Sequence, residues 1–116
     1  MARLSTHVLD TSVGRPAPGV KLRLNRVENG LEVPVVEAVT NADGRTDAPL
    51  LAGDAYKPGT YVLWFDVAGY FAARTPAVAS TYLDLVPIRF TMTEADGHYH
   101  VPLVVTPWSY STYRGS

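Results

Sequence analysis

The chain has 116 residues, of which 47% are hydrophobic, 10% aromatic and only 18% charged. Such a composition supports a buried core and excludes intrinsic disorder. Ten Lys and Arg against eleven Asp and Glu leave a net charge of -1, too little positive field for a non-specific nucleic-acid binder. Cysteine is absent, which removes disulfides, thiolate metal sites and cysteine nucleophiles from consideration.

The stretch from Met1 to His7 lacks the apolar run of a secretory signal, and no segment holds the ~20 consecutive apolar residues of a membrane span. A soluble, cytoplasmic chain forming one domain over residues 1–116 is expected. Nine glycines and nine prolines interrupt the chain too often for average-length helices, which points to an all-β domain. In chain order, strands are expected at Leu4 to Leu9, Val20 to Val27, Val33 to Val39 and Arg45 to Pro49. Four more are expected at Thr60 to Val67, Val86 to Met92, Tyr99 to Thr106 and Tyr110 to Arg114. The clearest period-two patterns are Val20-Lys21-Leu22-Arg23-Leu24 and the set Val86, Ile88, Phe90 and Met92. Asn29-Gly30, Asp43-Gly44 and Asp96-Gly97 each mark a turn, the dipeptide type that most strongly signals a hairpin. The alanines of Ala68 to Arg74 favour one short helix ending before Thr75-Pro76. Thr75 to Leu85 reads as a looser connection. Eight short strands make a sandwich.

Three histidines are present, two of them in His98-Tyr99-His100-Val101-Pro102-Leu103-Val104. Period two sets Tyr99, Val101, Leu103 and Val105 toward the core and turns His98 and His100 outward. An outward imidazole on a strand is commonly just solvated, and His7, on the Ser5-His7-Leu9 face of the first strand, reads equally well as an edge histidine. A three-imidazole zinc site is a weaker alternative, because neither histidine segment has a carboxylate directly beside it. Arg45 after Asp43-Gly44 is by default a surface cation flanking a turn. However, the face carrying His100, Pro102 and Val104 is too apolar to be wholly solvated, and it calls for a partner subunit. No Gly-x-Ser-x-Gly nucleophile motif and no glycine-rich phosphate loop occurs.

Three segments together resemble one family. Leu4-Ser5-Thr6-His7-Val8-Leu9-Asp10 with Gly14-Arg15-Pro16-Ala17, then Asp43-Gly44-Arg45-Thr46-Asp47, then His98-Tyr99-His100-Val101-Pro102-Leu103 closing on Tyr113-Arg114-Gly115-Ser116, look like the 5-hydroxyisourate hydrolases, or transthyretin-related proteins. The resemblance spans nearly the whole chain. It implies a transthyretin-like (prealbumin) sandwich of two four-stranded sheets with one short helix, assembled as a homotetramer, a dimer of dimers with active sites in the clefts between dimers. It implies hydrolysis of 5-hydroxyisourate, a step of urate breakdown, with no metal and no cofactor. Carried over by motif, His7, Arg45, His100 and Ser116 are the expected catalytic residues, and Tyr113 and Arg114 the substrate-binding ones. The chemistry needs an activated water, stabilisation of oxyanion charge and a proton for the leaving nitrogen, which two imidazoles and a guanidinium can supply. The alternative is a transthyretin-like carrier that binds a small molecule without catalysis.

Overall fold

The alternating segments pair into two sheets in the computed structural model, which describes residues 2–115. The first sheet contains β1 (Arg3–Asp10), β2 (Arg15–Pro16), β5 (Leu51–Ala52), β8 (His98–Val105) and β9 (Tyr110–Thr112), and the second contains β3 (Lys21–Glu28), β4 (Leu31–Val39), β6 (Gly59–Asp66) and β7 (Leu85–Met92). A 3-10 turn (Gly53–Ala55) precedes β6, and a short α-helix, α1 (Val67–Ala72), comes directly after it. The second sheet runs β4-β3-β6-β7, all antiparallel. In the first, β1 lies parallel to β8, and β9 returns antiparallel along the far edge of β8.

The inward faces meet in one core. Leu4, Val8, Leu103 and Val105 from the first sheet pack with Leu24, Leu63, Phe65 and Val86 from the second, all at 1% exposure or less. Burying each such side chain stabilises the fold by about 1.5–3 kcal/mol. Two inward positions of β1 are polar and have internal partners. Thr6 donates to the Val101 carbonyl at 2.7 Å. Asp10, fully buried, accepts from the Tyr70 hydroxyl at 2.7 Å, the Ser12 amide at 3.0 Å and the Arg74 guanidinium. This cluster fastens α1 to the end of β1. Burial and the Asp10 carboxylate push the Tyr70 phenol up to about 12.

Several expectations are revised. The expected strand Arg45 to Pro49 does not form. Arg45 makes a single antiparallel bridge to His7, the chain then leaves the sheet through Pro49, and pairing with β1 resumes at Leu51–Ala52. The open edge of β1 is therefore covered by three short pieces: Leu51–Ala52 beside Leu4 and Arg3, Arg45 beside His7, and Arg15–Pro16 beside Asp10 and Leu9. The pieces β2 and β5 make this sheet five-stranded rather than four-stranded. Of the three turn dipeptides, only Asn29-Gly30 closes a two-residue hairpin, with φ of 52° and 79° joining Glu28 to Leu31. Asp43-Gly44 and Asp96-Gly97 instead turn the chain where it crosses between sheets. The helix starts one residue earlier than expected because Asp66 caps it, accepting from the Gly69 amide at 2.9 Å.

Candidate active site

On β1 the outward residues Ser5, His7 and Leu9 are half-buried, and on β8 so are His100 and Val104. The parallel register makes Ser5 the partner of His100 and His7 the partner of Pro102, so the two imidazoles are diagonal neighbours with ring centroids 6.5 Å apart. On the other side of β1, the Arg45 bridge brings the guanidinium-bearing residue alongside His7. Central position in the sheet is thus what makes β1 the organiser: its two flanks deliver His100 and Arg45 to one face.

The loop that presents Arg45 is held by its own polar groups. The Asn41 side-chain oxygen accepts from the Asp43 amide at 2.9 Å and the Arg45 amide at 3.2 Å, while the Asn41 amide donates to the Arg45 carbonyl at 2.7 Å. The Val8 amide donates to the Gly44 carbonyl at 2.8 Å. Gly44 has φ of +74°, and a Cβ there would lie 2.4 Å from the Val8 carbonyl oxygen. Glycine is required on both counts.

His100 is confined at both ring edges. The Ser5 Oγ lies 2.8 Å from its Nδ1. On the opposite edge, Gly115 donates its amide to the His100 carbonyl at 2.9 Å, and a Cβ on Gly115 would fall 2.6 Å from the imidazole Cδ2. The Gly115 side of the terminal segment therefore lies against the ring. Thr112, which donates to the Pro102 carbonyl at 2.7 Å, secures β9 just before it.

The electrostatics favour neutral imidazoles. Desolvation first and the Arg45 charge second lower the pKa of His7, opposed by the Asp43 backbone as hydrogen-bond acceptor and by the Asp43 carboxylate. Desolvation, then Arg45, His7 and Arg3, lower that of His100. A neutral imidazole keeps one nitrogen lone pair and one N–H, the two attributes needed for proton abstraction and hydrogen-bond donation.

The other expected residues are placed differently. The β9 register, carried on through the Gly115 bridge, sets Tyr113 beside Pro102 on the histidine face and Arg114 beside Val101 on the opposite one. In agreement, the Arg114 guanidinium lies 4.2 Å from the Tyr99 ring centroid and 3.2 Å from Glu94 Oε2. Tyr113 and Arg114 border, together with His100, Phe90 and Tyr99, a cleft of about 250 Å³. Ser116 lies outside the described residues. His98 is exposed at the start of β8, opposite Arg3, and among the described residues no group of three His, Asp or Glu converges as a metal-ligand set. A larger hollow of about 500 Å³ lies beside Arg15, Tyr70 and Arg74, and none of the expected site residues lines it. Sequence reasoning does not single out Ser5 or Asn41 as site residues. Ser5 carries a usable signal, since it shares the alternating face of His7, whereas the loop contacts of Asn41 carry no periodic signal.

A 5-hydroxyisourate hydrolase from Deinococcus radiodurans is 58% identical to this chain over 97% of it and 95% of the relative. Among solved structures, the 5-hydroxyisourate hydrolase of Klebsiella pneumoniae matches with a TM-score of 0.82 and 37% identity over 100% of both chains. An (S)-allantoin synthase matches with a TM-score of 0.90 and 42% identity over 99% of this chain, which spans only 44% of that longer one. The HIUase/Transthyretin family matches residues 4–115, and this chain belongs to it.

Proposed function

We propose that this chain hydrolyses 5-hydroxyisourate to 2-oxo-4-hydroxy-4-carboxy-5-ureidoimidazoline by water attack on the ring lactam. The observation that carries this reading is the pair of imidazoles, His7 and His100, 6.5 Å apart on one sheet face with Arg45 bridged to His7, where burial and the Arg45 charge lower the pKa of both rings. The 58% identity to a 5-hydroxyisourate hydrolase over nearly the full chain supports it.

In the reaction, an imidazole takes a proton from water as its oxygen bonds to the lactam carbon. Charge gathers on the former carbonyl oxygen, where N–H donors stabilise it. The C–N bond then breaks, and the proton passes to the leaving nitrogen. Arg45, with its planar fork of donors, binds a substrate carbonyl or an anionic form of the substrate. Tyr113, on the histidine face, closes the pocket from the β9 side. Arg114, anchored on Tyr99 and Glu94, contributes to substrate binding by holding that terminal segment in register. No cofactor enters this scheme.

The site face is also where a second copy fits. Its half-buried apolar residues Leu9 and Val104 lie next to His7 on that face, and a homotetramer with the site between dimers would cover them. This oligomer is proposed here with the function. The carrier alternative gives two neutral imidazoles and an arginine no task, so the catalytic reading is preferred.

The deciding experiment follows the ultraviolet absorbance of 5-hydroxyisourate freshly generated from urate, with and without the protein, against the spontaneous decay. Acceleration proportional to protein concentration is expected. A trace that overlays the uncatalysed control overturns the proposal.

A further inference from the structure

We propose that Ser5 is a positioning residue: its hydroxyl donates to Nδ1 of His100, keeps that ring's single proton on Nε2, and so makes His100 the neutral hydrogen-bond donor and His7 the base. This rests on the hydrolase reading and divides the labour that reading leaves shared between the two histidines.

The geometry is specific to Ser5. The parallel pairing of β1 and β8 makes Ser5 and His100 direct cross-strand partners, and the 2.8 Å separation is an ordinary hydrogen bond between atoms half-buried on the sheet face. The hydroxyl can donate or accept. Among the described residues its oxygen has no other hydrogen-bond partner, so donation to the Nδ1 lone pair satisfies both groups. If the ring proton sat on Nδ1 instead, the Ser5 proton would have no protein acceptor. Gly115 makes the assignment directional. Turning the imidazole over would exchange Nδ1 with Cδ2, set a C–H against the Ser5 hydroxyl and point Nδ1 at the Gly115 side, where the Gly115 amide cannot serve it because that amide already donates to the His100 carbonyl. Ser5 and Gly115 together therefore fix both the orientation and the tautomer.

The chemistry then balances with one mobile proton. His7 accepts it from the attacking water, and the water oxygen bonds to the lactam carbon. His100 Nε2–H donates a hydrogen bond to the developing oxyanion and keeps its proton, as a neutral imidazole electrophile does. When the C–N bond breaks, His7 returns the proton to the leaving nitrogen. Arg45, Arg3 and His7 are the charged or titratable groups whose fields reach His100, and all of them favour its neutral form.

The test has a spectroscopic arm and a kinetic arm. In protein labelled with nitrogen-15, long-range nitrogen–proton NMR correlations at pH 7.5 should show His100 protonated on Nε2 alone. Ser5→Ala should give a mixture of tautomers and lower kcat by roughly 10-fold to 100-fold with KM nearly unchanged. Ser5→Thr, which keeps the hydroxyl, should restore the single tautomer and most of the rate. A wild-type His100 carrying its proton on Nδ1, or charged on both nitrogens, overturns the inference, as does a Ser5→Ala protein with wild-type kcat. Should Ser5→Ala fail to fold, the wild-type tautomer and the Ser5→Thr rate still decide. A wild-type protein inactive on 5-hydroxyisourate overturns the hydrolase reading instead, a failure the NMR result distinguishes.

Discussion

The two outward sheet faces of the sandwich share one alternating plan and treat their polar groups in opposite ways. On the β4-β3-β6 face, Arg23 lies 3.5 Å from Glu37, and Glu32 accepts from Trp64 Nε1 at 2.7 Å and Asn25 Nδ2 at 3.0 Å. Those bonds, from Trp64 and then Asn25, hold the Glu32 carboxyl below the usual carboxylate range. On the β1-β8 face, none of His7, His100 and Arg45 takes part in an ion pair among the described residues, and Arg45 pushes both imidazoles toward neutrality. A face whose cation is in no ion pair among the described residues is prepared for a ligand that brings oxygen atoms and negative charge. On the other face, Glu37 and Glu32 already have partners within the chain.

Substitutions on the two faces should therefore differ by orders of magnitude in their effect. His7→Asn removes the base and should lower turnover by about 10²- to 10⁴-fold while leaving thermal unfolding nearly unchanged, which absorbance kinetics and a melting curve read together. Equal turnover in mutant and wild type would remove His7 from the mechanism. Gly115→Ala comes next. Its Cβ would require the His100 ring to shift, and a displacement of about 1 Å at a reacting group costs up to roughly 100-fold, so a clear fall in kcat is expected with the fold intact.

Arg45→Met sharpens the comparison through pH. Removing the cation raises the pKa of both histidines, since Arg45 contributes to lowering each. The acid limb of kcat/KM, expected below 6.5 in the wild type, should move to higher pH, and the rate at neutral pH should fall by about tenfold. Stability has the same sign of dependence. With folded-state pKa values below the unfolded 6.5, the unfolded chain binds more protons in the window between them. The contribution to stability is thus intact above 6.5 and is lost as pH falls from 6.5 through the folded values. Melting temperatures of Arg45→Met should fall less steeply across that window than those of the wild type, and an unchanged slope would argue against the electrostatic account. The smallest effect is expected on the other face, where Arg23→Ala should change stability by about 0.5 kcal/mol or less and leave turnover alone. A large rate loss there would erase the distinction between the faces.

Much of the molecule is legible in the chain, and the limits of that reading have physical causes. Alternation in Val20 to Leu24 and in Tyr99 to Val105 reports faithfully which residues line the core, because a sheet with one buried face imposes period two. The same logic turns His100 outward, but it leaves His7 undecided, because Thr6 and Asp10 on the buried face of β1 blur the alternation there. Alternation says nothing about which strands are neighbours. The parallel pairing that unites Ser5, His7 and His100 joins residues 95 apart, and no local pattern encodes that distance. Arg45 stands out through its motif, yet the strand expected from it onward is wrong, since the chain leaves the sheet at Asp47 to Pro49 instead of propagating a ladder. Arg114 shows the remaining gap: the motif groups it with Tyr113 as a substrate contact, and only the register with β8 shows that Tyr113 takes the histidine face and Arg114 the other.

The piecewise cover on β1 has a bearing on solubility. A strand edge with a long run of unpaired amides and carbonyls is a template on which further chains can add. Here the edge of β1 is interrupted three times within eight residues, leaving no run long enough to seed such growth, although Arg45 occupies the middle piece and stays exposed to solvent. The strand that organises the histidine face can thus remain open to a small molecule without being open to another polypeptide strand.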